Sequence, residues 1–102
     1  MWIITRAALV KFCERNPQAR PGLQSWHKAA KMARWTCLQD VRTMFPHADA
    51  VIVASGKPVV VFNIAGNKYR LITAIHYNTQ KIFTLFLLTH AEYSREKWKD
   101  AL

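Results

Sequence analysis

Acidic residues are scarce in this chain: six Asp and Glu stand against fifteen Lys and Arg among 102 residues, which leaves a formal net charge of +9. A chain this small with such an excess carries a positive field over much of its surface. RNA, DNA and ribosomes are the obvious polyanionic partners, while an anionic membrane surface or an acidic protein would satisfy the charge equally well. The composition therefore narrows the class of partner without identifying it.

Long hydrophobic runs are also missing. No apolar stretch approaches the roughly 18 residues that a membrane span requires. The apolar segment at residues 1–4 is short, because Arg6 follows it closely. It lacks the basic region and the longer apolar segment of a signal peptide. We therefore expect a cytoplasmic protein that does not enter a membrane. Because 51% of the residues are hydrophobic, too many for a disordered chain, we expect one folded domain over residues 1–102.

Cysteine, histidine and glycine are too few, or too widely spaced, to form a metal site, a phosphate-binding loop or a nucleophile motif. Cys13 and Cys37 do not have metal-ligand spacing and fall in helical patterns, so we expect two buried thiols. His47 and His76 are isolated from other ligand residues, which argues against a metal site. The three glycines form no phosphate-binding loop, and no Gly-x-Ser-x-Gly or Cys-x-x-Cys pattern occurs. No metal or cofactor is predicted.

Hydrophobic residues recur at helical spacing in the first half of the chain. Thr5 is expected to cap a first helix that ends at Asn16-Pro17, and Pro21 suits the first turn of a second helix. Residues 38–44 are expected to form a third, short helix. The apolar residues expected on the buried helix faces are Leu9, Phe12, Cys13, Leu23, Trp26, Ala30 and Ala33. The tryptophans expected to pack in the core or between helices are Trp2, Trp26, Trp35 and Trp98.

Strand patterns occur at the beginning of the chain and throughout its second half. Strands are expected at residues 1–4, 50–54, 59–64, 68–77 and 81–88. The hairpin-length connections predict an antiparallel meander. Thr89 and Glu92 have the capping-box spacing that begins a short final helix. We therefore predict the α+β class, with two helices on one face of a small antiparallel sheet, a short C-terminal helix, and a second face open as a working surface.

Arg70 is expected in the middle of that open sheet face. Along the 68–77 strand, Lys68, Arg70 and His76 point to one side, and Tyr69, Leu71, Ile75 and Tyr77 point to the other. A guanidinium suits a phosphate because its planar fork binds two oxygens and keeps its charge. The alternative interpretation is a solvated charge on an exposed sheet.

His90 and Tyr93 follow the last strand and are expected near the sheet rim, close to Arg70. Histidine moves a proton near neutral pH, and tyrosine donates one or stacks on a base. The alternative is a helix cap with a packed aromatic ring. The basic residues that could surround the same concavity, or serve only solubility, are Lys57, Lys68 and Lys81.

Three sequence segments together carry a family resemblance. They read Val-Phe-Asn-Ile-Ala-Gly-Asn-Lys-Tyr-Arg-Leu at 61–71, Ile-His-Tyr at 75–77 and Thr-His-Ala-Glu-Tyr at 89–93. In these segments, in Ile3-Ile4-Thr5 and in the helix pair, the chain resembles the HigB toxins of the RelE/ParE superfamily. The resemblance covers nearly the whole chain and implies a RelE-like fold.

The resemblance implies a ribosome-dependent endoribonuclease that cleaves messenger RNA in the decoding site. Its reaction uses the RNA's own 2′-hydroxyl as nucleophile and needs no metal. By similarity, Arg70 is the phosphate clamp, and His90 and Tyr93 transfer protons or stack on a base. Lys57 matches a basic position in the loop before the strand. Further RNA-binding residues implied are Asn67, Lys68, Lys81 and Arg95. The implied protein partner is a helix-turn-helix antitoxin of the HigA type.

One departure from the family pattern keeps two other functions open. Relatives often carry an arginine in the last strand, but residues 82–88 contain no basic residue and Leu85 lies near that position. Lys81 or Arg95 could substitute for it. A non-catalytic domain that binds ribosomes or RNA is one alternative, and a ParE-like poison of DNA gyrase is the other.

Overall fold

The computed structural model describes residues 1–102, apart from the side chain of Ala8. Its helices are α1 (Ala7–Arg15), α2 (Arg20–Met32), α3 (Leu38–Met44) and α4 (His90–Ser94). Its strands are β1 (Trp2–Ile4), β2 (Asp49–Ile52), β3 (Pro58–Ile64), β4 (Tyr69–His76) and β5 (Lys81–Thr89). Short 3₁₀ turns occur at Pro17–Ala19, Tyr77–Thr79 and Lys97–Ala101. The predicted α+β class and order of elements are confirmed. Among the described residues, no helix is both long and apolar enough to cross a membrane.

The five strands form one sheet in the order β1-β5-β4-β3-β2. From β2 to β5 each strand pairs antiparallel with the next, which is the predicted meander. β1 instead joins the edge of the sheet parallel to β5, with Trp2 opposite Lys81. The sheet is therefore mixed rather than purely antiparallel. Parallel neighbours need a long crossover, which here contains the helices and the rest of the sheet.

The helices cover the first face of the sheet and form the larger core. Its buried residues include Leu9, Cys13, Trp26, Ala30, Trp35, Val41, Phe62, Ile64, Leu71 and Ile82. The ring of Phe62 lies 5.3 Å from Trp26 and 5.2 Å from Phe45 between centroids. Gly22 allows α2 to approach the β3–β4 hairpin, because a Cβ there would lie 2.7 Å from the Ala65 nitrogen. The predicted apolar helix faces are thus the ones that pack.

Helix α1 begins without the predicted Thr5 cap. Its N-cap is Arg6, and no side chain of its own segment caps it. The Arg6 amide donates instead to Thr84 Oγ1 at 3.4 Å, and the Thr84 hydroxyl donates to the Ile4 carbonyl at 3.1 Å. The first-turn amides of α1 therefore have no side-chain cap, and the buried Thr84 of β5 instead fixes the segment that leads into the helix.

Two expectations of burial are wrong. Cys13 is buried, but Cys37 is exposed because it precedes α3 as its N-cap instead of lying within a helix. Trp2 is 71% exposed because it lies on an edge strand, whereas the other tryptophans are buried as predicted.

The second face of the sheet is partly covered, so the prediction of an open face is wrong. A second core cluster on this face contains Val53, Val59, Val61, Ile72, Leu85 and Trp98. Residues 93–102, which we call the C-terminal strap, supply Trp98 and Leu102 to it. The Ala54 amide donates to the Lys99 carbonyl at 3.1 Å and ties the strap to the far side of the sheet. The strap is required because the outward side chains of β3 to β5 are mostly apolar.

A β-bulge in β5 interrupts its alternation. Ile72 pairs with Phe86 and Thr73 pairs with Thr84, which leaves Leu85 as the extra residue. Leu85 and Phe86 consequently both contact the second core cluster. At the position where relatives often carry an arginine, this chain therefore has a buried apolar side chain.

Candidate functional site

Arg70 lies at one end of the sheet, not in the middle of the face as predicted. It is the second residue of β4, opposite Asn63 of β3 and Leu88 of β5. The hairpin between β3 and β4 is adjacent, and Ala65 and Gly66 turn the chain there with φ of 53° and 69°. The guanidinium is therefore at a rim, where an extended ligand can approach without crossing the strap.

The Arg70 guanidinium is held by its own hairpin. Nη1 donates to the carbonyls of Asn67 at 3.1 Å and Tyr69 at 3.2 Å, and Nη2 donates to Asn67 Oδ1 at 2.6 Å. These bonds use three of the five N–H donors of a guanidinium. Asn67 thus orients the cation, and two donors keep no partner among the described residues.

An aromatic stack supports the other side of Arg70. Its Cζ lies 5.6 Å from the centroid of the Tyr93 ring, within cation–π range. Tyr93 in turn stacks on Trp98 with 5.3 Å between centroids and 18° between planes. The Trp98 indole N–H donates to the Tyr93 carbonyl at 3.1 Å. The strap therefore fixes Tyr93, and Tyr93 fixes the position of the cation.

The start of α4 brings His90 to the same rim. Thr89 pairs with Tyr69, and the His90 amide donates to the Lys68 carbonyl at 3.0 Å. The predicted capping box is present: the Glu92 amide donates to Thr89 Oγ1 at 3.2 Å, and Glu92 Oε1 accepts from the Thr89 amide at 3.1 Å. The His90 side chain is exposed beside this fixed backbone.

Two further cations border the stack. Arg95 lines a cleft of about 200 Å³ with Leu88, Glu92, Lys97 and Trp98. Lys99 Nζ lies 5.8 Å from the centroid of the Trp98 ring. Its 2.8 Å hydrogen bond to Glu96 raises the pKa of the Lys99 ammonium and keeps it charged.

The predicted grouping of Lys57 and Lys81 with Arg70 is wrong. Lys81 pairs with His76, six residues along β4 from Arg70, which corresponds to about 20 Å of strand. Lys57 lines a separate cleft of about 330 Å³ with His76 and Leu85. Of the three predicted lysines, only Lys68 lies at the Arg70 rim.

The site is a shallow rim that combines a fixed cation, a supported phenol ring and an exposed imidazole. A guanidinium binds phosphate oxygens, an aromatic ring stacks on a base, and imidazole transfers protons. No group of three or more His, Cys, Asp or Glu among the described residues is arranged to hold a metal ion. Sequence reasoning missed Trp98, because its contact with Tyr93 depends on the turn between them and not on a strand or helix spacing.

Comparison with known proteins identifies the family. The model of the HigB toxin family, described as the RelE-like toxic component of a toxin–antitoxin system, matches residues 19–96. An mRNA interferase HigB of Escherichia coli O6:H1 is 25% identical over 95 residues, covering 93% of this chain and 90% of the relative. The mRNA interferase toxin HigB of Escherichia coli K12 is 26% identical over 93 residues, covering 91% and 88%. An mRNA interferase HigB of Shigella flexneri has the same identity and coverage.

The family match covers most of the chain, including the hairpin that holds Arg70 and the helix that carries His90 and Tyr93. The resemblance predicted from the sequence is therefore confirmed. This chain belongs to the HigB toxin family, the RelE-like toxic components of toxin–antitoxin systems.

Proposed function

We propose that this chain is an endoribonuclease that cleaves messenger RNA on the ribosome. The relatives named mRNA interferase support the reaction class. The observation that carries the proposal is the fixed Arg70 guanidinium, which Asn67 holds from one side and Tyr93 supports from the other, at a rim accessible to an RNA strand.

The reaction is attack by the RNA's 2′-oxygen on the adjacent phosphorus. The new P–O bond closes a 2′,3′-cyclic phosphate, the bond to the 5′-oxygen breaks, one proton leaves the 2′-hydroxyl and one joins the 5′-oxygen. The two N–H donors of Arg70 that the hairpin does not use stabilise the negative charge on the phosphorane. His90, whose imidazole is exposed at the rim, is the candidate for proton transfer.

Tyr93 acts as the support for Arg70, with the guanidinium and the Trp98 indole both packed against its ring. Its ring holds the guanidinium at 5.6 Å while its other contact, with Trp98, prevents it from turning away. Lys68 and Arg95 add positive charge on either side of the same rim for flanking phosphates.

Ribosome dependence follows from how little of the substrate this site can enclose. Asn67, Lys68 and His90 beside Arg70 are exposed, so the rim offers few fixed contacts that would align the 2′-oxygen with the departing 5′-oxygen. Orientation of this kind contributes a large part of a barrier reduction, of the order of 7–11 kcal/mol. We propose that the ribosome supplies it by presenting the message in a bent, fixed geometry.

The partner that silences this toxin is proposed to be a helix-turn-helix antitoxin of the HigA type. Membership in a toxin–antitoxin family implies a cognate antitoxin. With a net charge of +9, the toxin would favour an antitoxin with an acidic contact surface.

The test compares Arg70→Ala with Arg15→Ala, which removes the same charge from the exposed end of α1. On ribosomes programmed with a defined message, Arg70→Ala should lower the cleavage rate about 100- to 1,000-fold, while Arg15→Ala cleaves like the unmodified chain. Naked message should remain intact with all three proteins. Circular dichroism and antitoxin binding check that both variants fold. Full cleavage by Arg70→Ala would overturn the assigned mechanism.

The buried Leu85 favours one second candidate, a domain that blocks ribosomes without cutting. The two candidates differ in whether the message is cut while the ribosome is stalled on it. Toe-printing together with primer extension would find stalled ribosomes on uncut message for the second candidate and new message ends for the nuclease.

A further inference from the structure

Trp2 is an exposed aromatic residue at the opposite end of the sheet from Arg70. Its side chain is 71% exposed, whereas Trp26, Trp35 and Trp98 are each under 7%. Leaving an indole in water is unfavourable by the usual hydrophobic term, so a solvent-exposed tryptophan requires an explanation. Neither core cluster includes it.

Basic residues line the clefts next to Trp2. Lys81 is its neighbour across the β1–β5 pair. Trp2 also separates two clefts: one of about 480 Å³ is lined by Arg34, and the other, of about 330 Å³, is lined by His27 and Lys31. We call these residues, Trp2, His27, Lys31, Arg34 and Lys81, the Trp2 surface. Thr36 also lines the first cleft, and the carboxylate of Asp40 accepts hydrogen bonds from its amide at 2.9 Å and its hydroxyl at 2.7 Å.

The backbone under the ring is fixed. The Trp2 amide donates to the Gln80 carbonyl at 2.7 Å. The Met1 nitrogen donates to the carbonyls of Ala33 at 2.6 Å and Lys31 at 3.2 Å, which joins β1 to the end of α2. The backbone positions of Trp2 and of the end of α2 are therefore fixed relative to each other, so binding would order side chains and not the backbone.

We propose that the Trp2 surface binds an unpaired base of an RNA segment, with the indole stacked on the base and the surrounding cations contacting its phosphates. An exposed aromatic ring next to clefts lined by Lys, Arg and His is the composition that binds single-stranded nucleic acid through stacking and charge. A protein interface of ordinary size would place a wider apolar centre here. The inference rests on the proposed function only in taking RNA as the polyanion.

The segment bound at Trp2 is separate from the strand held at Arg70. The two positions are about 20 Å apart along the sheet. Between them, the outward residues of β4 and β5 are Ile72, Ala74, Phe83, Leu85 and Phe86, all in or against the second core cluster. None of these outward residues carries a charge that would hold a phosphate backbone between the two positions. The Trp2 surface therefore increases the affinity for a structured RNA such as the ribosome and does not take part in cleavage.

The experiment titrates the whole protein with a 2′-O-methyl oligoribonucleotide of about ten unpaired nucleotides, which the nuclease cannot cut. Base stacking on Trp2 should quench tryptophan fluorescence, because the other three indoles are shielded. Trp2→Phe should keep most of the affinity, and Trp2→Leu should lose about tenfold. Lys81→Gln should reduce the dependence of log affinity on log salt concentration by about 0.7. Ile52→Ala on the opposite edge strand and Lys11→Gln on α1 are the matched apolar and charge controls.

The outcomes separate this inference from the proposed function. Equal affinity of Trp2→Leu and the unmodified protein would overturn the Trp2 surface, whatever Arg70→Ala does to cleavage. Stronger quenching by the antitoxin than by RNA, with antitoxin affinity lost in Trp2→Leu, would assign the surface to a protein partner and also overturn it. Retained Trp2-dependent binding by a protein that cuts no message would overturn the nuclease and leave the surface standing.

Discussion

The two faces of the sheet are covered by different amounts of protein. Three helices cover the first face, and its core includes an aromatic group around Phe62. The second face has only the C-terminal strap, which holds a smaller apolar cluster through Trp98. Hydrophobic stabilisation grows with the apolar area removed from water, so the first face should contribute more to the free energy of unfolding.

The thinner cover lies next to the functional rim. The strap begins at Tyr93, which supports Arg70, and continues into Trp98, which stacks on Tyr93. The same residues therefore close the second core and position the site. Damage to the first face should lower stability alone, whereas damage to the strap should lower stability and activity together.

Phe62→Ala should have the largest effect on stability, about 4 kcal/mol in the free energy of unfolding. Phe62 is 1% exposed and contacts the rings of Trp26, Trp35 and Phe45. Urea unfolding followed by circular dichroism measures the loss. Phe62→Leu, which retains most of the volume, should cost less than about 1.5 kcal/mol. A loss below 1 kcal/mol for the alanine variant would show that the helix-covered face does not contribute most to the free energy of unfolding.

Trp98→Ala should destabilise the protein less, by about 3 kcal/mol, because the second core cluster to which Trp98 belongs is the smaller of the two. It should also lower ribosomal cleavage about tenfold, because Tyr93 loses both the stacked ring and the N–H donor that hold it. Trp98→Phe keeps a ring and loses only the hydrogen bond, at about 1 kcal/mol. If Trp98→Ala were unstable and yet fully active, the strap would not position the site.

Alkaline pH should give the smallest effect, and it should act on the helix-covered face. Burial raises the pKa of the Cys13 thiol above its ordinary 9.0, while Arg20 acts in the opposite direction. Burial likewise raises the pKa of Tyr77 above 10.0. The unfolded chain therefore loses these protons first, so stability is complete below about pH 9 and falls as pH rises through the folded-state values.

Urea unfolding at a series of pH values from 7 to 11 measures this slope. Cys13→Ala should remove the part of the slope that begins near pH 9 and leave the part due to Tyr77. A slope unchanged in Cys13→Ala would show that the thiol does not contribute.

Local sequence patterns determined the elements that depend on near neighbours. The α2 stripe, the end of α1 at Asn16-Pro17 and the Thr89–Glu92 capping box are all set by residues within a few positions of each other. The closeness of Arg70 and Tyr93 followed from the meander, since hairpins fix which strand ends meet.

The parts that sequence did not predict depend on distant pairings. The parallel addition of β1 exposes Trp2 and places Lys81 beside it, although the two are nearly eighty residues apart in the chain. The segment leading into α1 is held by Thr84 of β5 and not by a residue near Thr5. The strap lies on a face that alternation alone predicted to be open, because a period of two shows which side chains share a face and not what covers them.

The extra residue in β5 has a consequence for how this site tolerates change. Outward side chains follow odd numbers up to Leu85 and even numbers from Phe86, so the bulge reverses the parity of everything after it. Leu88 faces Arg70's side of the sheet only because of that reversal. Forcing residues 83–88 into unbroken alternation would turn Leu88 and the start of α4 to the wrong side, whereas deleting Leu85 would remove the extra residue and the reversal together. The Leu85 deletion should therefore keep Phe86 and Leu88 outward and preserve the rim, at the cost of one apolar side chain in the second core cluster.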